Sequence, residues 1–296
     1  MKKGLTIFLV ILLMALAIIP LVSCGVDFNL PDGVGITVMS YNIRQDTATD
    51  TGTHDWEARK GYLIEHVLEQ APSILCMQEV KKNQAKDLEE ALTGYETIWY
   101  SRSEDQSEEG LAISYLSESF ELVDQDMFWL SETPSRESKG YGAWFLRICV
   151  HAILREKTTN KEISVYCVHL EVMSEKARTK EIELVLSRIE ENDEGREVIV
   201  CGDFNTTSDS TCYETIAAKL DSAEDKAMVS EHGITYQDFG GKNLTFDSAI
   251  DYIFTSSGFF PVSFNILDEH KEIDGNAIYY SDHYAVKAGI ILVQES

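Results

Sequence analysis

The chain has 296 residues, 44% of them hydrophobic and only five of them proline. That is material for one large α/β domain or two small ones, and it excludes a disordered polymer. Fifty acidic residues against 25 basic ones give a formal net charge of −25, so the surface repels polyanions at long range and offers no broad basic face for nucleic acid. A bound metal ion can still build a local positive site in such a protein.

At the N-terminus, Lys2 and Lys3 precede an apolar run from Leu5 to Ile19, followed by Leu21-Val22-Ser23-Cys24-Gly25. A charged start, an apolar middle and a small residue before the cut predict a signal peptide over residues 1–23. A cysteine directly after the cut resembles the bacterial lipobox, which implies lipidation of Cys24. The alternative is an uncleaved anchor helix, since Leu5 to Val22 is only about long enough to span a membrane. Either way the domain is expected outside the cytoplasm, beside a membrane. Loss of the two lysines takes the formal charge of the mature chain to −27, from −25 less two. Residues 24–35, with Pro31, Gly33 and Gly35, are expected to be a tether, and 36–296 one undivided domain.

Ile36 to Tyr41 alternates as a strand does and delivers Asn42 to its end. After a polar loop, Asp55 is placed to cap a helix whose stripe is Trp56, Leu63, Ile64, Val67 and Leu68, stopped before Pro72. Ser73 to Met77 is a buried strand ending in Gln78-Glu79, so strand, helix and strand make a βαβ-like unit. A second amphipathic helix is predicted over 83–92. Tyr95 to Tyr100 and Leu111 to Leu116 then flank an acidic loop, 101–110, expected to be the solvated tip of a long hairpin.

Phe120 to Leu130 supplies further strand material before the turn signal Ser131-Glu132-Thr133-Pro134. Ala143 to Leu154 and Ile163 to Leu170 predict an antiparallel pair, with Arg147 on the Phe145/Cys149 face and His169 ending the second strand on an otherwise apolar face. Ser174 opens a helix running to about 191. It leads into Val198-Ile199-Val200-Cys201, a buried strand that passes through Gly202 to Asp203 and Asn205. Residues 206–248 are loop-rich, with a helix plausible from Tyr213 to Leu220. Ile250 to Phe254 is a strand with one acid, Asp251, embedded in it, and buried carboxylates are rare unless paired. Ser281-Asp282-His283-Tyr284 precedes a last apolar strand, Ala285 to Val293.

Of the five cysteines after Cys24, four lie in apolar strand-like runs. An odd count at irregular spacing is neither a disulfide framework nor a zinc site, although one bridge, involving Cys212 for example, stays open. His54, His66, His151, His232 and His270 have no motif around them and are expected to be structural or surface residues.

Five apolar segments therefore end in Asn, Glu, His, Asp/Asn and Asp-His. In order, Ser40-Tyr41-Asn42, Gln78-Glu79, His169-Leu170-Glu171, Gly202-Asp203-Phe204-Asn205, Ile250-Asp251-Tyr252 and Ser281-Asp282-His283 resemble the motif set of the endonuclease/exonuclease/phosphatase superfamily. That superfamily holds deoxyribonuclease I, apurinic endonucleases, neutral sphingomyelinases and inositol-polyphosphate phosphatases. Phe128 to Pro134 looks like a stretch of a secreted bacterial and fungal branch.

The resemblance implies a four-layer α/β sandwich, two mixed sheets face to face with helices outside and the site at one end. It implies Glu79 as principal metal ligand with Asn42 and Asp282 beside it, and oxygen ligands of that kind suit Mg²⁺ or Mn²⁺. It implies His283 as general base oriented by Asp251, and Asp203 as the residue orienting the attacking water, although base and orienter are interchangeable at this stage. Asn205 would contact a phosphate oxygen, and His169 would face the scissile phosphate. Arg147 as a phosphate clamp and Arg102 along the substrate groove are weaker assignments, because each is as readily a salt-bridged surface residue. The function expected is metal-dependent phosphoester hydrolysis, of diesters rather than monoesters. The substrate expected is a small diester, nucleic acid or a phospholipid headgroup, with a phosphatase for small sugar or inositol phosphates as an alternative within the class; the membrane is met through the lipid anchor, and no protein partner is implied. The competing reading is a binding lipoprotein that keeps the fold without catalysis.

Overall fold

The computed structural model describes residues 30–193, 195–241, 244–273 and 275–294; Cys24 and the expected signal peptide lie outside them. The elements are β1 (Gly33–Asn42), α1 (Trp56–Gln70), β2 (Ile74–Val80), α2 (Lys82–Ala91), β3 (Tyr95–Ser101), β4 (Gly110–Leu116) and β5 (Phe120–Trp129). Next come β6 (Ile148–Glu156), β7 (Glu162–His169), α3 (Glu175–Asn192), β8 (Glu197–Asp203), α4 (Thr211–Ala217), β9 (Asp221–Ser222), α5 (Ala223–Lys226) and β10 (Val229–Ser230). β11 (Asp251–Thr255), β12 (Phe259–Leu267), the short pair β13 (Lys271–Ile273) and β14 (Asn276–Ile278), and β15 (Ala285–Val293) complete the chain.

Seven strands form one mixed sheet in the order β10-β12-β15-β1-β2-β4-β3, and six form the other in the order β5-β6-β7-β8-β11-β9. The alternation of strand side chains makes them a sandwich. Ile36, Val38, Ile74, Cys76 and Ile113 of the first sheet meet Val150, Leu154, Val165, Cys167, Ile199 and Ile253 of the second in the central core. On the outer faces, Met39, Tyr41, Leu75 and Met77 pack with Trp56, Leu63, Val67 and Leu88 of α1 and α2. Val198, Val200 and Tyr166 pack with Ile182, Val185 and Ile216 of α3 and α4. The expected four-layer α/β sandwich is the fold observed. Because both faces of β2 and β8 are covered, Ile74 to Met77 and Val198 to Cys201 read as continuous apolar runs.

Local signals hold at several points. Asp55 accepts from the Glu57 N–H at 2.9 Å and caps α1, and Ser174 accepts from the Ala177 N–H at 3.2 Å to cap α3. Three differences from the sequence expectation have a clear physical cause. β1 already begins at Gly33, where it pairs with Val293, so the last residues of the expected tether belong to the sheet. β6 begins only at Ile148, because the N–H groups of Trp144 and Phe145 are taken by the Glu171 carboxylate instead of a neighbouring strand. β12 did not stand out in the sequence because Pro261 interrupts it, and its pairing with β15 shifts register between Pro261 and Ser263. The five described cysteines are all free and buried. Leu111 to Tyr115 and Phe259 lie in the core.

Candidate active site

The register of three strands sets the first half of the site. β7 and β8 run parallel with His169 opposite Asp203, and β11 runs antiparallel to β8 with Asp251 opposite Asp203. One row across the sheet thus carries an imidazole and two carboxylates. Gly202 makes the row possible, since a Cβ there would lie 1.9 Å from the Val168 carbonyl oxygen. The turn out of β8 puts Asn205 in the left-handed region with φ 50°, where the Asp203 Oδ1 accepts its N–H at 2.8 Å.

The other sheet supplies the second half. β1 and β2 run parallel with Asn42 opposite Gln78. The β2–β4 pairing slips between Met77 and Val80, and Glu79 sits in that slip with φ 61°. A left-handed glutamate costs on the order of 1 kcal/mol and is characteristic of functional positions. The Asn42 Nδ2 joins the two halves, donating to Glu79 Oε1 at 3.3 Å and to Asp203 Oδ2 at 3.0 Å.

His283 lies over the Asp203 row. Its Nδ1 is 2.9 Å from Asp251 Oδ2, and its Nε2 is 3.8 Å from Asp203 Oδ2. His169 Nε2 is 3.5 Å from the same Asp203 oxygen. The two imidazoles are opposite in character. Burial followed by the Arg147 and Arg102 charges holds His169 well below the usual histidine range, so it is neutral. Burial would also lower His283, but Asp251, Asp203 and Asp282 outweigh it and lift the group to about 10. Asp203 is pushed up to about 7, first by burial and then by Asp251.

All the sequence-predicted site residues among those described are buried or nearly so, and most converge, with three qualifications. Asp282 turns to Arg44, 3.5 Å from its Nη1, rather than joining a cluster with Glu79. Asn42 turns its nitrogen, not its oxygen, toward the carboxylates, while its Oδ1 accepts the Arg44 N–H at 3.0 Å. Asn205 donates its side-chain amide to the Leu170 carbonyl at 3.0 Å.

Glu109 is the residue that sequence reasoning missed. It stands at the end of the acidic loop expected to be solvated, yet it is 4% exposed. Its Oε1 accepts from Arg102 Nη1 and lies 3.9 Å from Arg147 Nη1. A carboxylate enters the interior only when paired, and these arginines, seven residues before and 38 after it, supply the pairing. Arg102, Glu109 and Arg147 line a small cavity with Gly110, Leu111, Leu146, Ile148 and His169. Both guanidinium Nε atoms and Glu109 Oε2 are buried there without a hydrogen-bond partner. Ligand atoms of Glu79, Glu109 and His169 lie within 4.8 Å of one another, as do those of Asp203, Asp251 and His283. Burial, with repulsion from Glu79, pushes Glu109 up to about 7 despite Arg102 and Arg147. Two crowded carboxylates with an oxygen to spare are a donor set that fits a hard divalent cation.

Behind the site, Glu181 of α3 accepts the Glu171 N–H at 2.8 Å and leaves its other oxygen unpartnered. Burial raises it from an ordinary 4.5 to about 7. The folded chain keeps Glu181 protonated in a window where the unfolded chain ionises it. Its stability contribution is therefore full below about pH 4.5 and is lost as pH rises toward about 7. Glu181→Gln cannot ionise, so its melting temperature should gain on the wild type between pH 5 and pH 8, by a free energy on the order of 3 kcal/mol. A gap independent of pH would mean that Glu181 does not titrate in that range.

The pattern of the Endonuclease/Exonuclease/phosphatase family matches residues 39–283. The chain belongs to that family. Phosphoester hydrolysis is the chemistry the family shares. An endonuclease/exonuclease/phosphatase family protein from Bacteroides thetaiotaomicron is 29% identical, with a TM-score of 0.84 over 89% of this chain and 100% of that one. A mannosyl-6-phosphatase of the same organism is 30% identical, with a TM-score of 0.80 over 86% of this chain and 99% of that one. Among curated proteins, Protein angel of Drosophila melanogaster is 25% identical over 260 residues, 80% of this chain and 73% of the relative.

Proposed function

We propose that the chain is a divalent-metal-dependent phosphomonoesterase whose substrate phosphate enters between the Asp203–His283–His169 cluster and the Arg102–Arg147 pair. The observation that carries the reading is that pair, the buried Arg147 and the half-buried Arg102 beside His169. A monoester phosphate carries up to two charges and a diester one, so a second fixed cation favours the monoester. The sequence alone pointed toward diesters, because it could not place the two arginines together. The resemblance to a mannosyl-6-phosphatase supports the same direction.

In this reading Asp203 receives the proton of the attacking water. Asn42 fixes the carboxylate, and its elevated affinity for a proton suits a base near neutral pH. In the same reading His283, to which the resemblance gave the role of base, is an imidazolium paired with Asp251 that faces the charge developing on the phosphoryl oxygens. Neutral His169 donates a hydrogen bond to a phosphoryl oxygen. Asn205 keeps the turn after β8 in place, its N–H on Asp203 and its side-chain amide on the Leu170 carbonyl. Glu79, faced by Glu109, would hold Mg²⁺ or Mn²⁺. When bound, the ion supplies charge neutralisation on the phosphoryl oxygens.

We place the enzyme outside the cytoplasm, anchored through lipidated Cys24, on the strength of the N-terminal pattern. The experiment is one panel: p-nitrophenyl phosphate, sugar phosphates, bis-p-nitrophenyl phosphate, plasmid DNA and sphingomyelin, each with Mg²⁺, with Mn²⁺ and with chelator. Metal-dependent turnover of monoesters is expected, with the activity in the membrane fraction of cells and released to the soluble fraction by Cys24→Ala. Turnover confined to diesters would overturn the monoester assignment.

A further inference from the structure

We propose that Trp144, Phe145, Val172 and Met173 form a platform at the mouth of the site that takes the C–H face of a hexose ring whose phosphate lies between the Asp203–His283–His169 cluster and the Arg102–Arg147 pair. This rests on the phosphomonoester reading above and names the alcohol half of the substrate.

The four side chains are exposed by 64%, 40%, 39% and 59% respectively, a concentration of exposed apolar groups in two short segments. The segments are tied together from beneath. Glu171, fully buried, accepts the N–H of Trp144 and of Phe145 on Oε2, both at 3.1 Å, and the N–H of Met173 on Oε1 at 2.9 Å. The Lys139 Nζ donates to the Trp144 carbonyl at 2.7 Å, and the Arg178 Nη1 to the Val172 carbonyl at 3.0 Å. A carboxylate buried to fix a loop that displays a bare tryptophan is an expense in stability that packing alone does not explain.

The platform adjoins the two arginines. The Phe145 ring lies 5.8 Å from the Arg102 guanidinium and 5.6 Å from that of Arg147, so a ligand leaving the arginines passes over Phe145 to reach Trp144. That order of contacts, phosphate first and ring second, is the order of groups in a sugar phosphate.

Four occupants can be weighed on these contacts. A polynucleotide or an anionic bilayer meets a chain with 50 acidic and 25 basic residues. A nucleobase needs groups that read its edge, and the N–H groups of residues 144, 145 and 173 and the carbonyls of 144 and 172 are already engaged. A pyranose needs neither, since its axial C–H face packs on an indole while its hydroxyls stay in water.

The test is intrinsic tryptophan fluorescence of the full chain, because Trp144 is the one strongly exposed tryptophan among the described residues. Methyl hexopyranosides, which carry no phosphate, should quench or shift the emission at millimolar concentration, adenosine and phosphatidylcholine vesicles should not, and Trp144→Ala should abolish the response. In turnover, Trp144→Ala should lower the ratio of kcat/KM for glucose 6-phosphate over glycerol phosphate about tenfold, through KM, and Trp144→Phe should restore most of it. A response to adenosine or vesicles but not to hexosides, or an equal loss on both esters, would overturn the proposal. Silence of the wild-type chain on every phosphomonoester would instead sink the reading it rests on, and the fluorescence result would still decide the platform.

Discussion

Asp203→Asn is expected to lower kcat on phosphoesters by about three orders of magnitude while raising the melting temperature at pH 8. The loss follows from chemistry: an amide at this position keeps the size of the carboxylate, and its oxygen can still accept the Asn205 N–H, but it cannot take a proton from water. The gain follows from electrostatics. Burial and Asp251 lift Asp203 from 3.8 to about 7, so the folded chain resists its ionisation. That raised value stabilises the fold fully below the ordinary carboxylate value, and the contribution is gone above about pH 7. A residue that cannot ionise is spared the cost at pH 8. His283 keeps its closer partner, Asp251 at 2.9 Å, so the imidazolium is retained. The acid limb of the rate profile near neutrality should vanish in the variant, because that limb belongs to the Asp203–His283 pair as a unit. Kinetics across pH 5 to 9 with thermal melts at both ends check it. A variant that lost stability and kept its acid limb would return the role of base to His283.

The second large effect is at Arg147. It is buried, lines the same cavity as His169, and shares the Glu109 carboxylate with Arg102. Arg147→Ala should reduce kcat/KM for p-nitrophenyl phosphate by about 10² to 10³, and for bis-p-nitrophenyl phosphate by about tenfold or less, because the dianion depends more on a second fixed cation. Arg147→Lys should recover only part, since an ammonium has no planar fork to match a phosphate edge. Arg102 remains against Glu109 in either variant, which limits the charge left uncompensated. Equal losses on both esters would show that Arg147 supports the fold and does not read the charge of the substrate.

Much of this site was legible in the sequence because strand ends deliver it. Asn42, His169 and Asp203 each follow an apolar run, and Asp251 stands out as an acid inside one. The sheet register then has little choice but to bring His169, Asp203 and Asp251 into line. Glu109 was not legible. It sits among Glu104, Asp105 and Glu108, and nothing local separates the one carboxylate that turns inward from those that stay in water. The difference is made by Arg147, which is distant in sequence and lies on the opposite sheet's approach to the cavity. The position of Arg147 was misread for a related reason: a continuous strand pattern from Ala143 hid a loop held by Glu171, a side-chain contact with no periodicity of its own. The proton economy of the two histidines was also beyond the sequence, since it depends on which charges surround each buried ring.

The most direct test of the account is phosphate release from the best monoester of the panel by the wild type and by Asp203→Asn, each with Mg²⁺ or Mn²⁺ and with the bound ion verified by calorimetry. The account predicts that both proteins bind the ion and that the variant turns over about a thousandfold more slowly, with all activity lost to chelator. Equal turnover by the two, or a metal-loaded wild type silent on every phosphoester, would contradict it.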